Sequence, residues 1–276
     1  MGSDYSRMQH LEVVQEGRLL SVSLNRPDSL NAINAALHRE LEDIWPMISV
    51  DESVGAVLLR GNGRSFCAGG DVKVMADAAS GSGPDTGMSD AVGRTTTLLD
   101  MPRRLIENQL ALRQPLVCAV HGYAMGLGAS MALCADIVIA AEDAAFGDAH
   151  VTIGLVPADG GTLMWPLLLP LNTAKYYLMT GERMSGAEAH RLGLVQRVVT
   201  AGELDAAAAA LARQLADGPT LALALTKSVL NKVVRERANL MLDTSLLMEA
   251  VTMSSSDHAE ASRSFTERRP PQYTGR

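Results

Sequence analysis

The stretch that decides the fold is HGYAMGLGASMALCAD, residues 121–136. An apolar run, Pro115 to Val120, leads into it, and Gly126-x-Gly128 stands where a strand pattern gives way to a helix pattern. A glycine turn in that place brings bare backbone N–H groups to a helix N-terminus, where they can hold negative charge. The residue behind the glycines is Ser130, with no carboxylate beside it in the sequence. A second stretch, GNGRSFCAGGD (61–71), has the same layout of strand, glycine turn and helix. If both turns face one cavity, two N–H groups can meet one carbonyl oxygen as it gains negative charge. The competing reading is that the glycines only allow close packing, and spacing alone leaves both open. A dinucleotide site is excluded, because Met131 stands where the third glycine should be and no acidic ribose-binding residue follows. There is no Walker phosphate loop.

Outward from this stretch the chain alternates strands and helices. LEVVQ (11–15) and LLSVSL (19–24) flank Glu16-Gly17-Arg18 and read as a hairpin. A helix is expected from about Asn34 toward Val50, a buried strand at AVLLRG (56–61), and a short helix at DVKVMAD (71–77). Residues 79–93 are rich in Gly, Ser and Pro and read as a loop. A long helix is expected from about Thr95 to Arg113, then strands LVCAV (116–120) and IVIAA (137–141). Ser185, Thr200 and Asp257 each precede a Glu by three residues and read as helix starts with capping boxes. DAAAAALARQLADGP is a helix ended by Gly218-Pro219, and residues 219–254 read as two more. The domain division expected is a mixed core over 1–200 and a helical region over 201–276.

Composition bounds the function. The chain has 276 residues, 47% hydrophobic and 20% charged, with a formal net charge of −7. One large globular domain, with or without a small appendage, fits that length. No basic cluster marks a nucleic-acid surface. No apolar run spans a bilayer, and no signal-peptide pattern opens the chain. The cysteines Cys67, Cys118 and Cys134 lack metal-ligand spacing. A cytoplasmic protein without a zinc site is expected.

Seven segments, in order, carry a resemblance: LNRPDSLNAI (24–33), FCAGGDV (66–72), QPLVCAVHGYAMGLGAS (114–130), CADIVIAAEDAAFG (134–147), GLVPADGG (154–161), MTGERMSGAEAHRLGLVQRVV (179–199) and SFTERRPPQYTGR (264–276). With these the chain resembles the enoyl-CoA hydratase/isomerase (crotonase) superfamily. The resemblance implies an α/β fold, a spiral of ββα units followed by a C-terminal helical region that packs in a homotrimer or a hexamer of two trimers. It implies an acyl-CoA substrate and no cofactor beyond the CoA moiety, and the lack of a basic patch and of a membrane-spanning run leaves no nucleic acid or membrane partner expected. It places the oxyanion donors at the N–H groups of Ala68 and Leu127. CoA contacts fall at Arg26, Ala68, Gly70, Asp71 and Lys73, with a solvated surface cation as the competing reading of Arg26 and Lys73.

The chain departs from that pattern where hydratases carry two glutamates. Those positions hold Ser130 and His150. His150 is then the candidate acid/base, since an imidazole titrates near neutrality. Asp159 is expected to orient it or act as base, the competing reading being a cap of the helix that starts near Thr162. Ser130 is expected to line the site. Asp148 and Asp143 read as loop residues and Cys67 as core. No metal-ligand cluster is visible. Enoyl-CoA hydratase is the best single label. Isomerisation or carbon–carbon cleavage of an acyl-CoA, and non-catalytic CoA-thioester binding, are the alternatives.

Overall fold

A computed structural model describes residues 4–71 and 91–276, with side chains from Leu99 onward in the second segment. The expected helix at DVKVMAD, Lys73 and most of the 79–93 loop lie outside the described residues.

The strands are built from β-branched and aliphatic runs, and their burial explains their composition. β1 (Leu11–Glu16) pairs antiparallel with β2 (Leu19–Leu24) across the expected hairpin. β3 (Ala56–Gly61), β4 (Leu116–Val120), β6 (Ile137–Ala141) and β9 (Arg197–Val199) then add in parallel, giving the order β1-β2-β3-β4-β6-β9. The central strands are covered on both faces, so they read as continuous apolar runs rather than alternating ones. A second sheet has the order β5-β7-β8, from β5 (Tyr123–Met125), β7 (Ala145–Gly147) and β8 (Arg183–Ser185). The chain therefore passes from β4 to β5 and from β6 to β7, moving each time from the large sheet to the small one. This is the ββα spiral.

Helices close the layers. α1 (Ala35–Ser49) is capped by Asn34, whose side chain accepts from the Leu37 N–H at 2.9 Å, and it buries Leu37, Leu41, Ile44, Trp45 and Ile48. α2 (Ala91–Ala111) packs on α1, and the short α3 (Leu127–Leu133) is wholly buried. α4 (Gly161–Leu168), α5 (Leu171–Thr180), α6 (Gly186–Leu192) and α7 (Leu204–Ala216) follow, α7 laying Ala208 and Ala212 over the large sheet.

The capping motifs divide. Ser185 Oγ accepts from the Glu188 N–H at 3.1 Å, and the Glu203 carboxylate reaches back to the Thr200 N–H at 3.2 Å. The expected cap at Asp257 is not used. Ser255 caps α9 (Ser256–Glu267) by accepting from the His258 N–H, while Asp257 accepts from Thr274 and Gly275 of the C-terminal tail. The two helices expected over 219–254 are one, α8 (Thr220–Met253) of 34 residues. No Gly or Pro interrupts it, and polar residues inside a helix do not end it when its flanks are packed. α8 crosses α2 and α4 and so reaches the centre of the molecule. No helix among the described residues is long and apolar enough to cross a membrane.

Candidate active site

A cavity of about 250 Å³ opens between the two glycine turns, the N-terminal end of α1, a short 3-10 turn (His150–Ile153) and α8. Its apolar wall comes from Ile33, Pro102, Met125, Ile153 and Met253.

The first turn forms because β5 ends at Gly126, which sits at φ 50, ψ −123, a backbone conformation costly for any side chain. The Gly126 N–H donates to the Gly147 carbonyl at 3.0 Å, anchoring the turn to β7. Leu127 follows as the first residue of α3, where the N–H has no partner within the helix. It lies on the cavity wall and meets no acceptor among the described residues. Gly128 lets the two turns approach, since a Cβ there would come within 2.8 Å of the Cys67 carbonyl oxygen and thiol.

The second turn corrects the expected donor. The Ala68 N–H is already spent on the Leu30 carbonyl at 3.0 Å. Ile33 brackets Gly70: its N–H donates to the Gly69 carbonyl, and its carbonyl accepts from the Asp71 N–H. In a parallel bridge of this kind the middle residue turns its own N–H to the opposite side. That side is the cavity, and the Gly70 N–H meets no acceptor among the described residues. The pair of unspent amides is thus Gly70 and Leu127, not Ala68 and Leu127.

Side chains from three segments meet His150. Asp148, 1% exposed, accepts from His150 Nδ1 at 2.6 Å and from its backbone N–H at 3.1 Å. His150 Nε2 lies 3.5 Å from Asp159 Oδ2 and 3.7 Å from Glu249 Oε1 of α8. These last separations exceed a formed hydrogen bond. The alternative role of Asp159 as a helix cap is not seen, because Gly160 holds that position and no side-chain cap bond forms. Asp159 Oδ1 has no hydrogen-bond partner.

The electrostatics of the cluster are mutual. Burial alone would lower the His150 pKa, but Asp159, Asp148 and Glu249 together raise it to about 10. Burial lifts Asp159 to about 6 against the pull of the imidazolium. Burial and the Asp159 charge lift Glu249 to about 8. Burial thus favours a proton on the two carboxyls while their charges favour one on the imidazole, and Glu249 is raised further than Asp159, which sets a stronger proton donor beside a stronger acceptor. The ring nitrogens of His150 already face the carboxyls of Asp148 and Asp159, which is why these three side chains lie so close together.

Other expected residues fall elsewhere. Ser130 is fully buried, its hydroxyl has no hydrogen-bond partner, and it packs behind Gly160 rather than on the cavity wall. Arg26 is no free surface cation: its guanidinium donates to the Ala32 carbonyl and to Asp71 Oδ2, the latter at 3.3 Å, tying the first motif to the second. Asp71 lines the cavity, and Lys73 lies outside the described residues. Cys67 is core: its thiol donates to the Asn31 carbonyl at 3.2 Å, and burial pushes its pKa up to about 12.

Asp148, Glu249 and His38 join the site without a motif to mark them. Asp148 is more than a loop residue, and an acid two positions before a candidate His is a usable signal. Glu249 is a lone acid in the apolar run LLMEAV. His38 lines the cavity, with Nδ1 2.9 Å from Glu42 Oε1 and Nε2 without a partner. Burial keeps it neutral by lowering its pKa to about 4.

The family model described as enoyl-CoA hydratase/isomerase matches residues 15–276. The chain is 36% identical to the 1,2-epoxyphenylacetyl-CoA isomerase of Escherichia coli (strain K12) over 96% of this chain and 98% of that one. It is 34% identical to the carnitinyl-CoA dehydratase of Proteus mirabilis (strain HI4320) over 97% and 99%. Among solved structures, an enoyl-CoA hydratase/isomerase from Mycobacterium paratuberculosis superposes with a TM-score of 0.84 at 36% identity, over 92% of this chain and 97% of that one. The chain is an enzyme that belongs to the enoyl-CoA hydratase/isomerase family.

Proposed function

We propose that this enzyme adds water reversibly to the double bond of a 2-enoyl-CoA, with Asp159 and His150 exchanging the protons. The observation that carries the reading is the pairing of two unspent amides, Gly70 and Leu127, with the Asp159–His150 pair across one cavity. The amides receive the thioester oxygen as it becomes an enolate, and fixed dipoles of this kind supply about 3–4 kcal/mol each. Asp159 takes a proton from water, whose oxygen bonds to C3. His150 keeps Asp159 ionised and stands ready to take the proton onward. Asp148 holds Nδ1, which aims Nε2 at the two other carboxyls. Without its family's two glutamates, the chain thus has a base supplied by a different loop. The reaction calls for no cofactor beyond the CoA arm of the substrate.

Isomerisation is the second reading. Asp159 and Glu249 flank one imidazole nitrogen, an arrangement that also suits moving a proton along one face of an acyl chain. Self-association as a homotrimer, alone or stacked in pairs, fits the apolar residues that α8 leaves exposed, among them Leu225, Val229, Val233, Leu240, Leu247 and Val251.

The test follows enoyl-thioester absorbance with crotonyl-CoA. Wild type is expected to hydrate it, and His150→Ala to lose about a hundredfold to ten-thousandfold in kcat. Crotonyl-CoA that binds and persists would set hydration aside and favour the isomerase. Turnover unchanged in His150→Ala would remove His150 from the mechanism.

A further inference from the structure

Addition of water needs two proton movements, one off water and one onto C2. A single carboxylate that has just taken the first proton is badly placed to give the second. The site contains another acid, brought from the far end of the chain. Glu249 projects from α8 into the same cavity, and its side chain is 10% exposed. Its position is fixed from both sides. Just beyond it, the Val156 N–H donates to Thr252 Oγ1 at 3.3 Å, and one turn before it Ser245, whose hydroxyl donates to the Leu242 carbonyl at 2.9 Å, packs 3.4 Å from the Ala158 carbonyl. Both contacts are with the loop that carries Asp159, so the two carboxyls are held as one unit.

Resting on the hydratase reading above, we propose that Glu249 delivers the proton to C2 of the thioester, and that His150 then returns the proton from Asp159 to Glu249. The step balances. Asp159 removes one proton from water and the hydroxyl oxygen bonds to C3. The C2–C3 π pair moves toward the thioester carbonyl, whose oxygen faces the Gly70 and Leu127 amides. The enolate pair then takes the Glu249 proton at C2, and one water has been added. What remains is a protonated Asp159 and an ionised Glu249, the reverse of the starting state. His150 Nε2 gives its proton to Glu249 and takes the one on Asp159, since that one nitrogen stands 3.7 Å from the first and 3.5 Å from the second. Asp148 anchors the ring throughout and stabilises its charge. Burial and the neighbouring Asp159 and Asp148 charges keep Glu249 protonated near neutrality, against the pull of His150, which is the state the step requires.

The test uses Glu249→Gln, which keeps the shape and removes the acid, with Glu249→Asp as the second variant in case the first unfolds. Two reactions are measured on the full chain. One is hydration of crotonyl-CoA. The other is exchange of the C2 hydrogens of butyryl-CoA in D2O, which cannot be hydrated and reports only proton removal at C2. In wild type, hydration should fall as pH rises through about 8 while C2 exchange rises over the same interval, because one group must be protonated for the first and ionised for the second. Glu249→Gln should lose a hundredfold or more in both, with KM moved by a few-fold at most, and its remaining hydration should lack the alkaline limb. Glu249→Asp should fall between them and keep that limb. Hydration by Glu249→Gln within threefold of wild type, or C2 exchange that survives in it, would overturn the proposal and leave the hydratase reading standing. Wild type that neither hydrates crotonyl-CoA nor exchanges butyryl-CoA would overturn both.

Discussion

The two halves of the site are made of different material. One is backbone: the turns at Gly70 and Leu127 present amides whose direction is set by strand pairing and by a helix start. The other is side chain: Asp148, His150, Asp159 and Glu249 meet from the segment after β7, the loop before α4 and the far part of α8. The first half is a property of a few consecutive residues and survives most changes of side chain. The second exists only when distant segments pack in register, and it can be rebuilt with new residues while the first stays fixed. This chain carries the family's glycine turns beside a titratable cluster of its own composition.

The sharpest way to separate the halves is to remove an amide without touching any side chain in the cluster. Leu127 is the first residue of α3, a position where proline is sterically accepted because its N–H has no helical partner. Leu127→Pro should therefore fold and lose about a hundredfold to a thousandfold in kcat, the cost of one oxyanion donor. Circular dichroism and crotonyl-CoA kinetics on the same sample decide it. A folded Leu127→Pro variant with wild-type kcat would mean that the backbone half does not bear the charge.

The cluster half should announce itself in stability as well as rate. Glu249 and His150 both have folded pKa values above their ordinary ones, from 4.5 to about 8 and from 6.5 to about 10. Between pH 6.5 and 9 the unfolded chain binds fewer of these protons than the folded chain does. A raised pKa contributes stability at low pH that is lost as pH climbs, so Tm should fall across that interval. Glu249→Gln removes one of the two titrations and should flatten the fall below pH 8. A Tm that is level or rises from pH 6.5 to 9 in wild type would mean that the cluster is not charged as described.

The difference between the halves also explains what the sequence could show. Strands β3, β4 and β6 were legible because burial on both faces leaves short unbroken apolar runs. The glycine turns were legible because few residues tolerate such backbone. Within FCAGGD, however, nothing in the letters says which amide is spent. Only the bonds from Ala68 to Leu30 and from Ile33 to Gly69 reveal that Gly70 is the one left over. α8 was read as two helices because its polar residues look like breaks, whereas packing against α2 and α4 carries the helix through them. Glu249 was invisible for the same reason, since the turn of α8 that faces the cavity is set by the whole helix. His150 and Asp159 could be singled out by position, but the partnership with Asp148 and Glu249 belongs to tertiary structure.

Ser130 gives the smallest expected effect and the most pointed contrast between position in a motif and position in space. By motif it stands where a hydratase carries a catalytic carboxylate. In the fold it is fully buried behind Gly160, off the cavity wall, with a hydroxyl that meets no hydrogen-bond partner. A buried hydroxyl without a partner costs roughly 1–3 kcal/mol of desolvation. Ser130→Ala removes that hydroxyl and opens almost no space. Its kcat should stay within about threefold of wild type, while Tm should hold or rise by a few degrees, in line with about 1 kcal/mol recovered. A large loss of kcat in Ser130→Ala would put the hydroxyl in contact with the reacting groups and restore the role that the motif alone implies. Unchanged kcat would show that, in this chain, one of the family's acid positions has become core.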